Sequence, residues 1–186
     1  MATDTEIIQA VLGGDIDQYG ELVNRYQLAA WKLAYGLVGN FEDAKELSQN
    51  GFVKAYRHLR QFRGKSRFST WLYRIIVNEC KDFFKAKARQ PLTVSLSSDD
   101  PETDEPVLFE VADPAGNPRD AMEDKELAKK ISRAIQKLPL KQQTAFVLCR
   151  LNGLSLEEAS GAMGVRLGTI KAHLFRAMEN LRESIQ

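Results

Sequence analysis

The chain has 186 residues, of which 44% are hydrophobic and 27% are charged, and its formal net charge is +1. This ordinary globular composition leaves room for one domain or two small ones. No apolar run approaches the roughly 20 residues of a membrane-spanning helix, and the N-terminus lacks the basic and apolar blocks of a signal peptide. We therefore expect a cytoplasmic protein without membrane insertion.

The small net charge is the sum of two blocks of opposite sign. Cations outnumber acids from Lys45 to Arg89, whereas the segment from Pro91 to Asp120 is acidic and contains a single cation, Arg119. A basic block is thus followed by an acidic one.

The sequence contains few residues of the kind that carry catalysis or bind metals. Cys80 and Cys149 each lie in an apolar helical pattern, which favours buried free thiols over a disulfide or a metal site. His58 and His173 lack a partnered nucleophile or ligand set, and there is no Gly-rich phosphate loop. We expect no metal, no cofactor and no enzymatic activity.

The first two predicted helices follow from apolar residues that recur every three or four positions. Thr3 and Glu6 have the spacing of a capping box at the start of the first helix, which a glycine pair ends. Asp15 or Asp17 is expected to cap the second helix, which continues to Gly39. No segment shows the alternation of a strand.

The third and fourth helices complete the first half of the chain. Asn40 is expected to cap the third helix, in which Gly51 costs roughly 1 kcal/mol relative to alanine and therefore suggests close packing. A turn at residues 63–66 breaks the pattern. Ser69 or Thr70 is then expected to cap the fourth helix.

Helical periodicity stops between about residues 90 and 120, where acidic residues accompany prolines. Such a segment buries too little apolar surface to fold alone, and its apolar island at 107–109 is interpreted as a local anchor. We predict an all-α fold with two small helical domains joined by a flexible acidic linker. The predicted N-terminal domain covers residues 1–90, the linker 91–122 and the C-terminal domain 123–186.

The C-terminal residues have the layout of a helix-turn-helix. Ser155 and Glu158 have capping-box spacing, Gly164 marks a turn, and a longer amphipathic helix follows from Thr169. In this motif the second helix enters the DNA major groove; the alternative is an ordinary helical hairpin with a solvated outer face. The residues expected to meet phosphates and base edges are Arg166, Thr169, Lys171, Ala172, His173 and Arg176.

The stretch RQFRGKSRFSTWLYR, residues 60–74, interleaves aromatic rings with cations. Single-stranded nucleic acid requires this combination, because bases stack on rings while lysine and arginine hold the backbone. Phe62 and Phe68 flank the break at 63–66, where a regular helix cannot bury both on one stripe. Apolar core with solvated charge remains the alternative, above all for Trp71.

These residues also carry a resemblance. Residues 41–89, which contain FRGKSRFSTWLYRI, resemble the conserved second region of bacterial RNA polymerase sigma factors of the extracytoplasmic-function (ECF) group in the sigma-70 family. Residues 138–182, which end in GTIKAHLFRAMENLR, are similar to the fourth region of these factors. The resemblance implies a transcription initiation factor that binds core RNA polymerase and helps to melt promoter DNA. A free-standing helix-turn-helix regulator of duplex operators is the alternative.

The resemblance also implies partners and sites. The fourth region would read the minus-thirty-five element and meet the flap region of the polymerase, and an anti-sigma factor is an expected partner. Residues expected to read the minus-ten strand, with a flipped base held near Phe62 and Asn78, are Phe62, Arg63, Lys65, Ser66, Arg67, Phe68, Thr70, Trp71, Arg74 and Asn78. Residues expected to dock on the clamp coiled coil of the largest polymerase subunit are Asp43, Glu46, Gln49, Asn50, Phe52 and Lys54.

Overall fold

The structure is a computed structural model that describes residues 2–89 and 118–185. Within these ranges the chain forms helices and turns without a strand, which confirms the all-α prediction. The island at 107–109 and most of the predicted linker lie outside the described residues. Among the helices described, none is long and apolar enough to cross a membrane.

Eight α-helices follow one another along the described chain. They are α1 (Asp4–Leu12), α2 (Tyr19–Val38), α3 (Phe41–Arg57), α4 (Phe68–Arg89), α5 (Pro118–Gln136), α6 (Leu140–Phe146), α7 (Leu156–Met163) and α8 (Leu167–Ile185). Single turns of 3₁₀-helix at Ile16–Gln18 and Leu59–Gln61 precede α2 and follow α3. A wider π-turn at Val147–Leu151 continues α6.

Three of the predicted helix caps are confirmed by their hydrogen bonds. Thr3 forms a capping box with Glu6 at the start of α1, and Ser155 forms one with Glu158 at the start of α7. The side chain of Asn40 accepts a hydrogen bond from the backbone N–H of Asp43 at 3.0 Å. In each case a side-chain oxygen satisfies one of the free N–H groups of the first turn.

Two cap predictions are wrong. Neither Asp15 nor Asp17 caps α2, because a 3₁₀ turn feeds directly into that helix and its N-cap residue, Gln18, makes no side-chain bond. Ser69 and Thr70 lie inside α4, which begins at Phe68. Both errors arise because a short polar residue near a helix start is compatible with several registers.

The N-terminal domain is built from α2, α3 and α4, which pack against one another, and from α1, which packs on α2. Tyr19 ties α2 to α3, since its hydroxyl donates to the Phe52 carbonyl at 2.8 Å. Gly51 allows α3 to approach α4 closely: a methyl group on Gly51 would lie 2.6 Å from Ile76 Cγ1. The close packing expected at Gly51 is confirmed.

The C-terminal domain places α8 against α6 and α7. Gly164 ends α7 in the left-handed conformation, with φ of 67°, and α8 starts two residues earlier than Thr169, at Leu167. The two domains also pack on each other through α4 with α7 and through α2 with α5 and α6. Their buried apolar side chains therefore form one continuous core.

Of the two cysteines, only Cys80 is fully buried. Burial raises the pKa of the Cys80 thiol to about 12, whereas Cys149 is partly exposed and burial raises its pKa as well. Both thiols are free, and neither is activated as a nucleophile at neutral pH.

Candidate nucleic-acid interface

An aromatic cluster stands where the 3₁₀ turn after α3 meets the start of α4. The ring centroids of Phe62 and Trp71 lie 5.3 Å apart, and both side chains are half-buried. Phe68 lies 5.9 Å from each of them. These tilted contacts are favourable for aromatic rings, and they hold Phe62 and Trp71 at the surface with part of each ring free.

Phe68 itself corrects the sequence prediction. It is 2% exposed and packs on Tyr26 of α2 at 5.7 Å, so it cannot stack on a base in this structure. The predicted caps were Ser69 or Thr70, but α4 already begins at Phe68. Phe68 is therefore the first residue of the helix, and its side chain points into the core. Phe68 supports the two rings that remain at the surface.

A cleft of about 260 Å³ opens beside Trp71. Its walls are His58, Gln61, Trp71, Arg74, Ile75 and Asn78. Of the two residues expected beside the flipped base, Asn78 lines the cleft, whereas Phe62 does not line it but contacts Trp71. Trp71 and Arg74, expected to read the minus-ten strand, also line it. His58, Gln61 and Ile75 were missed, the first two because the 3₁₀ turn at Leu59–Gln61 has no sequence signature. The cleft thus combines one aromatic face with several hydrogen-bonding groups.

Two of the missed residues are bonded to each other. The Gln61 amide nitrogen lies 3.1 Å from His58 Nδ1. When the amide donates to Nδ1 of the neutral ring, the proton is on Nε2, which is then a donor, and the Gln61 oxygen remains an acceptor. The pair can therefore present one donor and one acceptor to a planar ligand.

The predicted cations of this site fall into two groups. Arg63 and Lys65 lie exposed in the turn before α4, together with the uncharged Ser66. Arg67 instead forms an ion pair with Glu158 of α7, with Nη1 and Oε1 3.3 Å apart.

Thr70 and Arg74 also face the C-terminal domain. Thr70 is only 5% exposed, and a methyl group on Gly161 of α7 would lie 3.7 Å from its Cγ2. Arg74 Nη2 would lie 4.0 Å from a methyl group on Gly164. Helix α7 thus lies beside the predicted minus-ten surface and buries Thr70, whereas Arg67 and Arg74 stay exposed.

The predicted recognition residues lie along the outer side of α8 and at its entry. All are exposed except His173, which is half-buried. Phe175 was missed by the sequence analysis, although its side chain is 63% exposed next to this surface. An aromatic residue off the apolar stripe of an amphipathic helix was the signal that could have identified it.

His173 lies in a cationic environment. Partial burial lowers the pKa of its imidazole, and the positive charges of Lys141 and Arg176 lower it further. The ring is therefore neutral at pH 7 in the free protein. A nearby DNA phosphate would raise the pKa of this ring, because an anion favours the protonated form.

The predicted polymerase-docking residues lie on α3. Asp43, Glu46, Gln49 and Asn50 are at least partly exposed, and Val53 adds an exposed apolar side chain that the sequence analysis missed. Phe52, which was also predicted to dock, is 7% exposed and belongs to the buried core. Lys54 forms an ion pair with Glu79 of α4.

Comparisons with known proteins match both domains. The family Sigma-70 region 2 matches residues 22–90, and the family Sigma-70, region 4 matches residues 128–181. The ECF RNA polymerase sigma-E factor of Escherichia coli strain K12 is 36% identical over 186 residues, which cover 99% of this chain and 95% of that protein. The sigma-E factor of Haemophilus influenzae is 35% identical over 184 residues, covering 99% and 96%.

Two solved structures share the fold. CnrH, solved in complex with the cytosolic domain of CnrY, superposes with a TM-score of 0.68 at 19% identity, covering 97% of this chain and 95% of that chain. The sigma factor RpoE of Bartonella quintana, solved with the anti-sigma factor NepR, gives 0.66 at 23% identity, covering 89% and 95%.

The sequence matches decide between the two functions that the residues left open. Both domains of a promoter-directing factor are present in the expected order, so a free-standing regulator is not favoured. The resemblance inferred from the two motifs is confirmed over nearly the whole chain. The chain therefore belongs to the ECF group of the sigma-70 family, and it is a transcription initiation factor that directs RNA polymerase to promoters.

Proposed function

We propose that the cleft beside Trp71 holds one unpaired base of the minus-ten element. The proposal rests on one observation: the cleft of about 260 Å³ is lined both by the ring of Trp71 and by hydrogen-bonding side chains such as Asn78. Stacking of a base on an aromatic ring is worth roughly 1–3 kcal/mol, and the polar walls add selectivity by hydrogen bonds to base edges. The exposed turn with Arg63, Lys65 and Ser66 holds the phosphates beside it.

The C-terminal domain binds the intact duplex upstream in this proposal. Helix α8 enters the major groove at the minus-thirty-five element, with Lys171, Ala172 and Arg176 facing base edges and Arg166 and Thr169 facing phosphates. Phe175 joins this surface, because an exposed aromatic side chain can contact the methyl group of a thymine. The division of the chain at 1–90, 91–122 and 123–186 belongs to the same proposal.

Core RNA polymerase is the protein partner. The outer face of α3, with Asp43, Glu46, Gln49 and Asn50 around Val53, docks on the clamp coiled coil of its largest subunit, and the C-terminal domain meets the flap. Location in the cytoplasm follows from this partner. An anti-sigma factor is a further proposed partner, in keeping with the fold shared with RpoE, which was solved with NepR.

Transcription in vitro tests the proposal. Purified chain is added to core polymerase on a library of genomic fragments, and start sites are mapped. We expect a discrete set of starts that share two upstream elements and are absent with core polymerase alone. The same set of starts with and without the chain would reject the proposal.

A further inference from the structure

The carboxylate of Asp4 fastens the start of α1 to α2. Its Oδ1 forms an ion pair with Arg25 Nη1 at 2.5 Å, and its Oδ2 accepts a hydrogen bond from the Tyr26 hydroxyl at 2.5 Å. A second nitrogen of Arg25, Nη2, donates to the Ala2 carbonyl at 2.9 Å. We call Asp4, Arg25 and Tyr26 the α1 clip. Hydrogen bonds to a carboxylate are stronger than those between neutral groups, so the α1 clip holds the Tyr26 ring firmly at its hydroxyl end.

The Tyr26 ring leads from the α1 clip to the aromatic cluster. Its centroid lies 5.7 Å from that of Phe68, which lies 5.9 Å from both Phe62 and Trp71. Helix α1 also packs against the 3₁₀ turn at Leu59–Gln61, which borders the cleft. Because Phe68 is buried in a close-packed interior, a shift of the Tyr26 ring would pass to the two rings at the surface.

Rings that receive a base bind it best when they are already in place. A side chain that becomes ordered only on binding lowers the affinity, because its lost freedom opposes association. The cleft walls that the structure describes contain none of the three clip residues. Any effect of the α1 clip on the base is therefore transmitted through the rings.

We propose that Asp4 and Tyr26 are positioning residues for the unpaired base. They hold the Tyr26 ring against Phe68, and Phe68 holds Phe62 and Trp71 in the orientation that receives the base. This inference rests on the proposed function for the identity of the ligand, whereas the contacts that lead from Asp4 to Trp71 are independent of it. Loss of the α1 clip should leave the chain folded and weaken base stacking.

Tyr26→Phe tests the α1 clip, because it removes only the hydroxyl that donates to Asp4. The control is Tyr19→Phe, which removes a hydroxyl from the same helix. Tyr19 donates to the Phe52 carbonyl at 2.8 Å, and its ring packs on Tyr56 of α3. Each variant loses one hydrogen bond, so a general loss of stability would affect both alike.

The fluorescent base 2-aminopurine reports stacking through its emission. It is placed in turn at each minus-ten position of a pre-melted promoter found by start mapping, which is bound by the full chain with core polymerase. The position whose emission changes with Trp71→Leu, which removes the aromatic face, marks the base site. There, Tyr26→Phe should shift the emission in the same direction and weaken template binding about two- to fivefold. Tyr19→Phe should match the wild type in both measurements.

Asp4→Ala tests the same hydrogen bond from its other end. Combined with Tyr26→Phe, it should weaken binding by less than the product of the two single effects, because both substitutions remove one shared bond. A response to Trp71→Leu without any response to Tyr26→Phe or Asp4→Ala would overturn the positioning role. Equal responses to Tyr26→Phe and Tyr19→Phe would overturn it as well, because they would reflect general destabilisation.

The proposed base site is tested separately by Trp71→Leu in the same series. If no minus-ten position responds to this variant, the cleft is not the base site, and the positioning role is rejected with it. Circular dichroism of each variant shows that its helices are intact before binding is compared.

Discussion

Gly51 of α3 lies against Ile76 of α4 so closely that a methyl group on Gly51 would stand 2.6 Å from Ile76 Cγ1. Alanine would favour the helix by roughly 1 kcal/mol, but overpacking a core costs about 1–3 kcal/mol. We expect Gly51→Ala to lower the free energy of unfolding, as measured by urea titration. The double variant with Ile76→Ala should lose less than the sum of the two single losses, and strict additivity would contradict the contact.

Phe62 and Asn78 should matter most when duplex DNA is opened. We expect Phe62→Ala or Asn78→Ala to reduce open complexes on a duplex promoter more than binding to a pre-melted one, because capture of an unpaired base offsets the cost of unpairing. Permanganate reactivity of unpaired thymines measures open complexes on the duplex promoter. Affinity for a bubble template measures binding to the pre-melted one. Equal losses on both templates would argue against the cleft as the base site.

His58 should influence which base is preferred. A hydrogen bond contributes about 0.5–1.5 kcal/mol, so His58→Ala should flatten the preference at one unpaired position by roughly 2- to 10-fold. Pre-melted templates with each of the four bases at each minus-ten position give the measurement. Arg60→Ala is the control, since Arg60 lies in the 3₁₀ turn that His58 precedes but does not line the cleft. A uniform loss for His58→Ala at every position would contradict base reading.

Arg176 should contribute to the upstream element. If its guanidinium contacts a base, Arg176→Ala should weaken binding of the polymerase complex to a minus-thirty-five duplex by roughly 1–3 kcal/mol. The variant should lose its sequence preference at one base pair only. Arg182→Ala removes the same charge near the end of α8 and should have little effect on base preference. An unchanged footprint for Arg176→Ala would count against the contact.

His173 should make duplex binding depend on pH. Burial and neighbouring cations hold its pKa below the ordinary value of 6.5 in the free protein, whereas DNA phosphates favour the protonated ring, so binding takes up a proton. Affinity for a minus-thirty-five duplex should therefore rise as the pH falls from neutral, and level off once the free protein is protonated as well. His173→Gln should remove this part of the pH dependence, and an identical pH profile would refute the linkage.

The same lowered pKa has the opposite consequence for the stability of the free chain. The unfolded imidazole takes up its proton at a higher pH than the folded one. The His173 contribution to the free energy of unfolding is therefore lost as the pH falls through 6.5 toward the folded pKa. In urea titrations the wild type should lose stability relative to His173→Gln as the pH falls through this range, and the difference between the two should be constant above it.

The sequence predicted the helical fold, the two domains and the family because these depend on local and periodic signals. Apolar residues at helical spacing, capping boxes such as Ser155 with Glu158, and glycine at the turn after α7 act within a few residues of one another. They were therefore visible in the sequence. The cap predictions for α2 and α4 were wrong because several short polar residues stood near each start.

Only the tertiary structure decided which aromatic rings are exposed and which surfaces are covered. Nothing in the sequence distinguishes Phe62 from Phe68 as a candidate for base stacking, yet Phe62 is half-buried at the surface and Phe68 is 2% exposed. The Gln143 amide bonds to α2 more than 100 residues away along the chain. Such contacts join positions that are distant in sequence, and composition or periodicity cannot specify them because each residue's surroundings are set by how whole helices pack.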